Sequence, residues 1–337
     1  MTRPTVTVLM PVFNGASYLR EALESVTAQA YEDFEFIIID DGSSDNSAEI
    51  IAAHPDRRIK FIRNERNLGI ATTLNRGLQM ARGQLIARMD CDDICYRYRL
   101  GYQVRFLQEH ADVAVCGSWV EVFGDAAPAI WKYPQQHNAI VCGLIFECVL
   151  AHPSIMLRTS MLDNAGLRYD PSMSYAQDYD LWVRCAQKFS LSNIPRVLLK
   201  YRIHGNSIGS AASARQVASA DKVRETQIRR LGIEPSDADM ALHRSLSLHR
   251  FEMSSEYLDR AEEWLRRLLE ANTRKGIYPQ TQFLSIVGAR WREACRFCTP
   301  MGMSAYLRFR NSPLSAAGTD LGARAKLLIR AGLRLAL

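Results

Sequence analysis

The chain opens with an almost uninterrupted apolar run, Thr5–Val12 (TVTVLMPV), rich in β-branched residues. A strand without polar alternation is one buried on both faces, as in a parallel sheet. Asn14-Gly15 breaks the run. Ser17 then offers a cap for a helix reaching about Ala30, with Leu19, Leu23 and Val26 on one face. The alternation repeats. Phe34–Ile39 predicts a second buried strand, Ser44 or Asp45 caps a helix to about His54, and Ile59–Ile62 predicts a short third strand. A helix over about Ile70–Arg82, stopped by Gly83, leads to a fourth strand at Leu85–Met89. This order predicts a doubly wound α/β domain, in which ligands bind at the carboxyl ends of the strands.

Past Met89 the order is more mixed. Helices are predicted over Tyr96–His110, His137–Leu150 and Asp178–Phe189, and strands over Val113–Phe123, Ser154–Leu157 and Val197–Tyr201. From Ala211 the pattern is helical with few strand signals, which divides the chain into residues 1–210 and a C-terminal helical region, residues 211–337. Within that region Tyr257–Ala271 is amphipathic, with Leu258, Ala261, Leu265 and Leu268 on one face. The stretch nearest to a membrane span, Ala139–Leu157, is interrupted by Glu147, His152 and Pro153 and is too short to cross a bilayer.

Charge separates the two regions further. The whole chain of 337 residues carries +6, but residues 1–210 hold 21 Lys/Arg against 23 Asp/Glu, whereas residues 211–337 hold 21 against 13. A basic tail on a neutral body implies an anionic partner for the tail. Leu321–Leu337 sets Leu321, Leu328 and Leu335 among Arg324, Lys326, Arg330 and Arg334, a pattern shared by helices on anionic bilayers and by packing helices with a solvated basic face. The tail has no regular basic–aromatic platform, so nucleic acid is not expected as a partner. The eight cysteines sit mostly in apolar runs, no secretory signal precedes the first strand, and the thiols are expected to be free in a cytoplasmic protein. Cys295-x-x-Cys298 lacks a second pair at zinc-site spacing.

Two acidic clusters fall at predicted strand ends: Asp40-Asp41-Gly42-Ser43 and Asp90-Cys91-Asp92-Asp93. In extended backbone Asp90 and Asp92 point to one side. Two adjacent carboxylates repel unless a cation lies between them, and Mg²⁺ or Mn²⁺ bridged to substrate phosphates suits an all-oxygen site. Asp92 and Asp93 also suit a cap for the next helix, and the first cluster also suits a turn.

The first 210 residues resemble a family 2 glycosyltransferase of the GT-A fold. The matching pieces come in the family's order: Pro11-Val12-Phe13-Asn14, Asp40-Asp41-Gly42-Ser43-Ser44-Asp45, Asn67-Leu68-Gly69 with Asn75-Arg76-Gly77, Asp90-x-Asp92-Asp93, His152-Pro153-Ser154, Gln177-Asp178-Tyr179-Asp180-Leu181-Trp182 and Tyr201-Arg202-Ile203-His204. The resemblance implies a GT-A-type nucleotide-diphospho-sugar transferase fold with a doubly wound mixed sheet. It implies that Pro11 and Asp41 hold the nucleobase, Asp90 the ribose and metal, and Asp92 the metal on the diphosphate. Asp178 is then the general base, and His204 either approaches the metal or diphosphate or is a surface-loop histidine. The family's usual Glu before the base is Gln177 here. Trp182 is expected either at an acceptor pocket or in the core, and His152 as a packed histidine.

The expected activity is inverting transfer of one sugar from a nucleotide-diphosphate sugar, with uridine the commonest base in relatives, to a saccharide or lipid-linked saccharide. Surface polysaccharide or lipopolysaccharide synthesis is the expected setting, on the inner face of the membrane. Arg290-Trp291 lacks the glutamine of the processive Gln-x-x-Arg-Trp motif. A nucleotidyltransferase would need a glycine-rich basic loop after the first strand, and Pro11–Gly15 is not one. The competing reading is a catalytically silent sugar-nucleotide-binding assembly subunit, favoured by Gln177 alone.

Overall fold

The computed structural model describes residues 3–205, 214–316 and 321–333. It divides into two compact units, residues 1–140 with 148–220, and residues 141–147 with 221–337. The boundary expected near residue 210 lies outside the described residues, and segment 141–147 groups with the second unit.

In the first unit β1 (Val6–Val12), α1 (Ala16–Thr27), β2 (Phe34–Asp40), α2 (Ser47–Ala52), β3 (Ile59–Arg63), α3 (Ile70–Met80) and β4 (Leu85–Arg88) alternate as the hydrophobic pattern predicts. The chain continues through β5 (Ile94–Cys95), α4 (Arg99–Glu109), β6 (Val113–Gly124), β7 (Ala129–Trp131), α5 (His137–Gly143), β8 (Met156–Arg158), α6 (Thr159–Asn164), α7 (Gln177–Ala186) and β9 (Ser190–Ile203). One sheet runs in the order β3-β2-β1-β4-β8-β6-β9-β5, with β7 on β6. Strands β3, β2, β1 and β4 are parallel, β8 is antiparallel to both β4 and β6, and β6 and β9 are parallel.

The core explains the continuous apolar run of β1. Val6, Val8 and Met10 pack with Leu19, Leu23 and Val26 of α1, each such side chain contributing about 1.5–3 kcal/mol by leaving water. Leu9 points to the other face, where Gly77 of α3 admits it; a Cβ on Gly77 would lie 2.2 Å from Leu9 Cδ1.

Several local expectations give way to tertiary contacts. Ser17 does not cap α1: Asp45 Oδ2 accepts the Ala16 N–H (3.0 Å) and Ser47 Oγ the Gly15 N–H (3.0 Å). Gly83 is not the stop of α3, which ends at Met80. Its missing Cβ makes room for β1, since a Cβ there would lie 2.4 Å from the Thr7 nitrogen. The helix expected to reach Leu150 ends at Gly143, a poor helix residue. Strand β9 begins seven residues before the expected start. Its polar Ser192 and Asn193 are tolerated because they donate to the carbonyls of Gln135 (2.8 Å) and Pro134 (2.8 Å).

α8 (Ala214–Arg230) leads into the second unit, followed by α9 (Asp237–Ser247), α10 (Ser255–Lys275), α11 (Gln280–Phe297), α12 (Met303–Asn311) and α13 (Leu321–Leu333). α10 buries Leu258, Ala261, Leu265 and Leu268 as its periodicity predicts, together with Trp264. Ser254 opens it by accepting the Tyr257 N–H (3.0 Å), and Gly276 closes it at φ 63°. All eight cysteines are free, with Cys295 and Cys298 buried in this helical core. In α13 the packing residues are Leu327 and Ala331 rather than Leu328, which is exposed; Arg334 and Leu335 lie outside the described residues. Among the described residues no helix is long and apolar enough to cross a membrane.

Candidate active site

The parallel register brings the carboxyl ends of β1, β2 and β4 together. Val12 pairs with Asp40, Leu9 pairs with Arg88, and the Met89 N–H donates to the Leu9 carbonyl (3.0 Å). Pro11, Asp41 and the acidic segment after β4 therefore line one edge of the sheet.

Asp90-Cys91-Asp92-Asp93 is a turn, not the extended backbone expected. The turn gathers all three carboxylates, with ligand oxygens of Asp90, Asp92 and Asp93 within 4.8 Å of one another. Neither Asp92 nor Asp93 caps the following helix: α4 starts at Arg99 after Tyr98, and Asp93 Oδ1 instead accepts the backbone N–H of Arg202 (2.8 Å). Asp93 is 1% exposed and its Oδ2 has no hydrogen-bond partner. Burial pushes the Asp93 carboxyl well above the usual carboxylate range, and the charges of Asp90 and Asp92 push it further. Burial also raises Asp90 against the pull of Arg88, with Asp92 adding to the rise.

Arg88, 3% exposed on β4, ion-pairs with Asp90. One buried arginine against three carboxylates leaves an excess of negative charge, together with an orphaned carboxylate oxygen. An all-oxygen donor set of this kind fits a hard divalent cation, Mg²⁺ or Mn²⁺. His204, at the end of β9, sets its Nε2 3.1 Å from Asp92 Oδ2.

Asp41 is almost fully buried and accepts three hydrogen bonds: from Asn64 Nδ2 (2.6 Å), the Leu68 N–H (2.9 Å) and the Gly69 N–H (2.9 Å). It thereby holds the 64–69 loop, which enters α3 through Gly69 at φ 86°. Pro11 is half-buried on β1 opposite Ile39, on the adjoining strand.

Asp178 lies in the first turn of α7. Burial raises its carboxyl above the ordinary range, opposed by the Tyr179 N–H and the positive charge of Arg88. The charge of Asp178 bears in turn on Asp90, so both carboxylates share one electrostatic neighbourhood around Arg88. Gln177 is buried, with its Oε1 unpartnered. Asp180 points elsewhere and pairs with Arg184 (2.6 Å). Trp182 is fully buried in the core. His152 bonds the Tyr169 hydroxyl (2.9 Å), as a packed histidine; burial and the Arg88 charge push its pKa well below the ordinary imidazole range.

Sequence reasoning missed the part played by Arg88. A signal was present, because an arginine inside the apolar run Leu85–Met89 must be buried and must find a partner. It also gave no role to Arg202, whose partners come from α1, β6 and the acidic turn and are distant in sequence.

A family model described as Glycosyl transferase family 2 matches residues 7–162. An uncharacterized glycosyltransferase of Haemophilus influenzae is 31% identical over 237 residues, covering 67% of this chain and 73% of that protein. One of Methanocaldococcus jannaschii is 36% identical over 211 residues, covering 60% and 72%. Among solved structures, residues 1–349 of S. aureus TarS in complex with UDP-GlcNAc superpose with a TM-score of 0.57 at 15% identity, covering 96% of this chain and 90% of that one. The mannosyltransferase PcManGT from Pyrobaculum calidifontis, in complex with GDP-Man and Mn²⁺, gives 0.50 at 17% identity, covering 99% and 81%. The mixed sheet with its helices is a GT-A-like fold, followed by a helical C-terminal region.

Proposed function

Because this chain belongs to glycosyl transferase family 2, we propose that it moves a single sugar, with inversion, from a nucleoside-diphosphate sugar to an acceptor hydroxyl. One observation carries the reading: Asp90, Asp92 and Asp93 converge within 4.8 Å at the end of β4.

Asp178 takes the proton of the acceptor hydroxyl as its oxygen attacks the anomeric carbon. The bond from that carbon to the phosphate oxygen breaks, and the nucleoside diphosphate leaves. A raised carboxyl is a better base near neutral pH than an ordinary one, and positioned proton transfer contributes about 10²–10⁴-fold. Asp90 and Asp92, with His204 bonded to Asp92, are the residues that would hold Mn²⁺ or Mg²⁺, whose charge would offset that of a departing diphosphate. Pro11 and the loop fixed by Asp41 form the nucleobase side of the site. Gln177 leaves Asp178 as the carboxylate of its pair. TarS in complex with UDP and with UDP-GlcNAc supports uridine as the base.

Transfer of a single sugar is supported by Trp291 being fully buried beside Arg290, which pairs with Glu147, so that Arg290-Trp291 is part of the helical core. α13 exposes Ile329 (58%) and Leu333 (64%) with Lys326 and contains no acidic residue. This supports an anionic membrane surface as partner, and with it a lipid-linked saccharide acceptor in surface polysaccharide or lipopolysaccharide synthesis.

The test is a thermal-shift series with UDP, UDP-GlcNAc, GDP and GDP-mannose, each with Mn²⁺ and with EDTA. A ligand that binds only the folded state raises its melting point. A rise with a uridine nucleotide that needs Mn²⁺ is expected. No rise with any nucleotide removes the donor site, whereas a rise with no sugar transferred returns the silent sugar-nucleotide-binding subunit. For the membrane partner, deletion of residues 320–337 should abolish cosedimentation with phosphatidylglycerol vesicles; retained cosedimentation rejects it.

A further inference from the structure

Arg202 grips the acidic turn at two points. Its backbone N–H donates to Asp93 Oδ1 (2.8 Å) and its Nε donates to the Asp92 carbonyl (2.7 Å). The guanidinium is sandwiched between two rings, 4.4 Å from the centroid of Tyr18 and 4.3 Å from that of Phe123. Its outer nitrogen ion-pairs with Glu21 of α1. Tyr18 also lies 4.7 Å from the His204 ring, and His204 reaches Asp92 Oδ2. Asp92 is thus held at its carbonyl by Arg202 and at its carboxylate by His204, and both residues pack on the same tyrosine.

We propose that Arg202 is a positioning residue that fixes the Asp92–Asp93 peptide against the end of β9, so that the carboxylates are already convergent when a divalent cation arrives. This rests on the reading of the cluster as a metal site. Three carboxylates within 4.8 Å repel, and a turn free to relax would splay them apart. A charge-assisted bond to the backbone resists that relaxation. The guanidinium charge is spent on a carbonyl and on Glu21, not on the carboxylates of Asp90 and Asp92. Arg202 therefore organises the cluster without neutralising it, and the cost of assembling the site is met during folding rather than at binding. Arginine suits the position because only a flat guanidinium can lie between two rings while donating in its own plane.

The experiment is titration of Mn²⁺ alone, read by the electron paramagnetic resonance of the free ion, on full-length wild type, Arg202→Met and Arg202→Lys. Melting curves confirm that each variant is folded. Arg202→Met is expected to weaken Mn²⁺ binding by about 10–100-fold, the usual scale for outer partners of metal ligands. Arg202→Lys keeps the charge and the stem, which protects folding, but loses the planar fork and is expected to weaken binding about tenfold. Amide hydrogen exchange at Asp92 and Asp93 in the metal-free protein should quicken in both variants. A folded variant of either kind with wild-type Mn²⁺ affinity overturns the proposal, since a merely structural arginine would lower the melting point alone. Wild type that binds no Mn²⁺ overturns the metal reading itself, a different failure.

Discussion

His204 Nε2 stands 3.1 Å from Asp92 Oδ2, joining the end of β9 to the acidic turn after β4 across more than a hundred residues of chain. As a ligand or as the partner of one, His204 should govern metal affinity. His204→Ala is expected to weaken Mn²⁺ binding by about tenfold or more while leaving the melting point of the metal-free protein within a few degrees. Calorimetric titration checks it, and unchanged affinity would remove His204 from the site.

Asp178→Asn should separate chemistry from binding. The amide keeps the shape of the side chain but cannot take a proton, so transfer should fall by about 10²–10⁴-fold with donor affinity nearly intact. Asp92→Asn should show the reverse emphasis, losing Mn²⁺-dependent donor binding. Full transfer by Asp178→Asn would place the base elsewhere.

Asp41 accepts bonds from Asn64, Leu68 and Gly69. In Asp41→Asn an amide –NH₂ replaces one acceptor, setting donor against donor in a buried place. A loss of about 1–3 kcal/mol of stability is expected from the unpaired groups, with weaker nucleotide binding as the 64–69 loop loosens. Urea unfolding and a nucleotide titration measure the two effects. A variant as stable as wild type would show that the loop does not depend on this carboxylate.

Glu35 on β2 is almost fully buried and accepts from Thr7 Oγ1 (2.8 Å), from the Arg82 N–H (2.7 Å) and from Arg82 Nε (2.9 Å), with Lys60 alongside. Burial raises the carboxyl, but these bonds together hold it down to about 2 from 4.5. The folded value lies below the unfolded one, so the stabilisation is complete above about pH 4.5 and is lost as the pH falls towards 2. Glu35→Gln should cost about 2 kcal/mol near neutral pH, an amount discounted for the exposed side chains of Lys60 and Arg82. The deficit should shrink through that window. Denaturant unfolding at several pH values tests it, and a deficit that stays constant with pH would count against the charged network.

The strands of the first half were legible because each is a run of apolar residues too polar-poor to lie anywhere but inside a sheet, and β1, β2 and β4 lie where those runs lie. β9 was less legible. Its polar start is satisfied by the carbonyls of Pro134 and Gln135, partners invisible to a local window. Gly83 was misread for a similar reason, since a helix stop and a close approach of two strands both call for a missing Cβ. Asp90, Asp92 and Asp178 stood out as carboxylates at element ends, but along the chain they belong to separate motifs.

The sequence by itself determined the α/β alternation, the strand ends on which the acids fall, and the separate helical region. These follow from hydrophobic periodicity and from acids that have no reason to sit at the ends of buried strands. Only the tertiary structure decided that Asp93 joins Asp90 and Asp92, because a turn rather than extended backbone carries them. Only it could place Arg88 beneath Asp90 and Arg202 between Tyr18 and Phe123. A buried charge is stable only with partners, and here the partners lie on different elements. Their meeting is a property of the folded sheet and not of any segment of the chain.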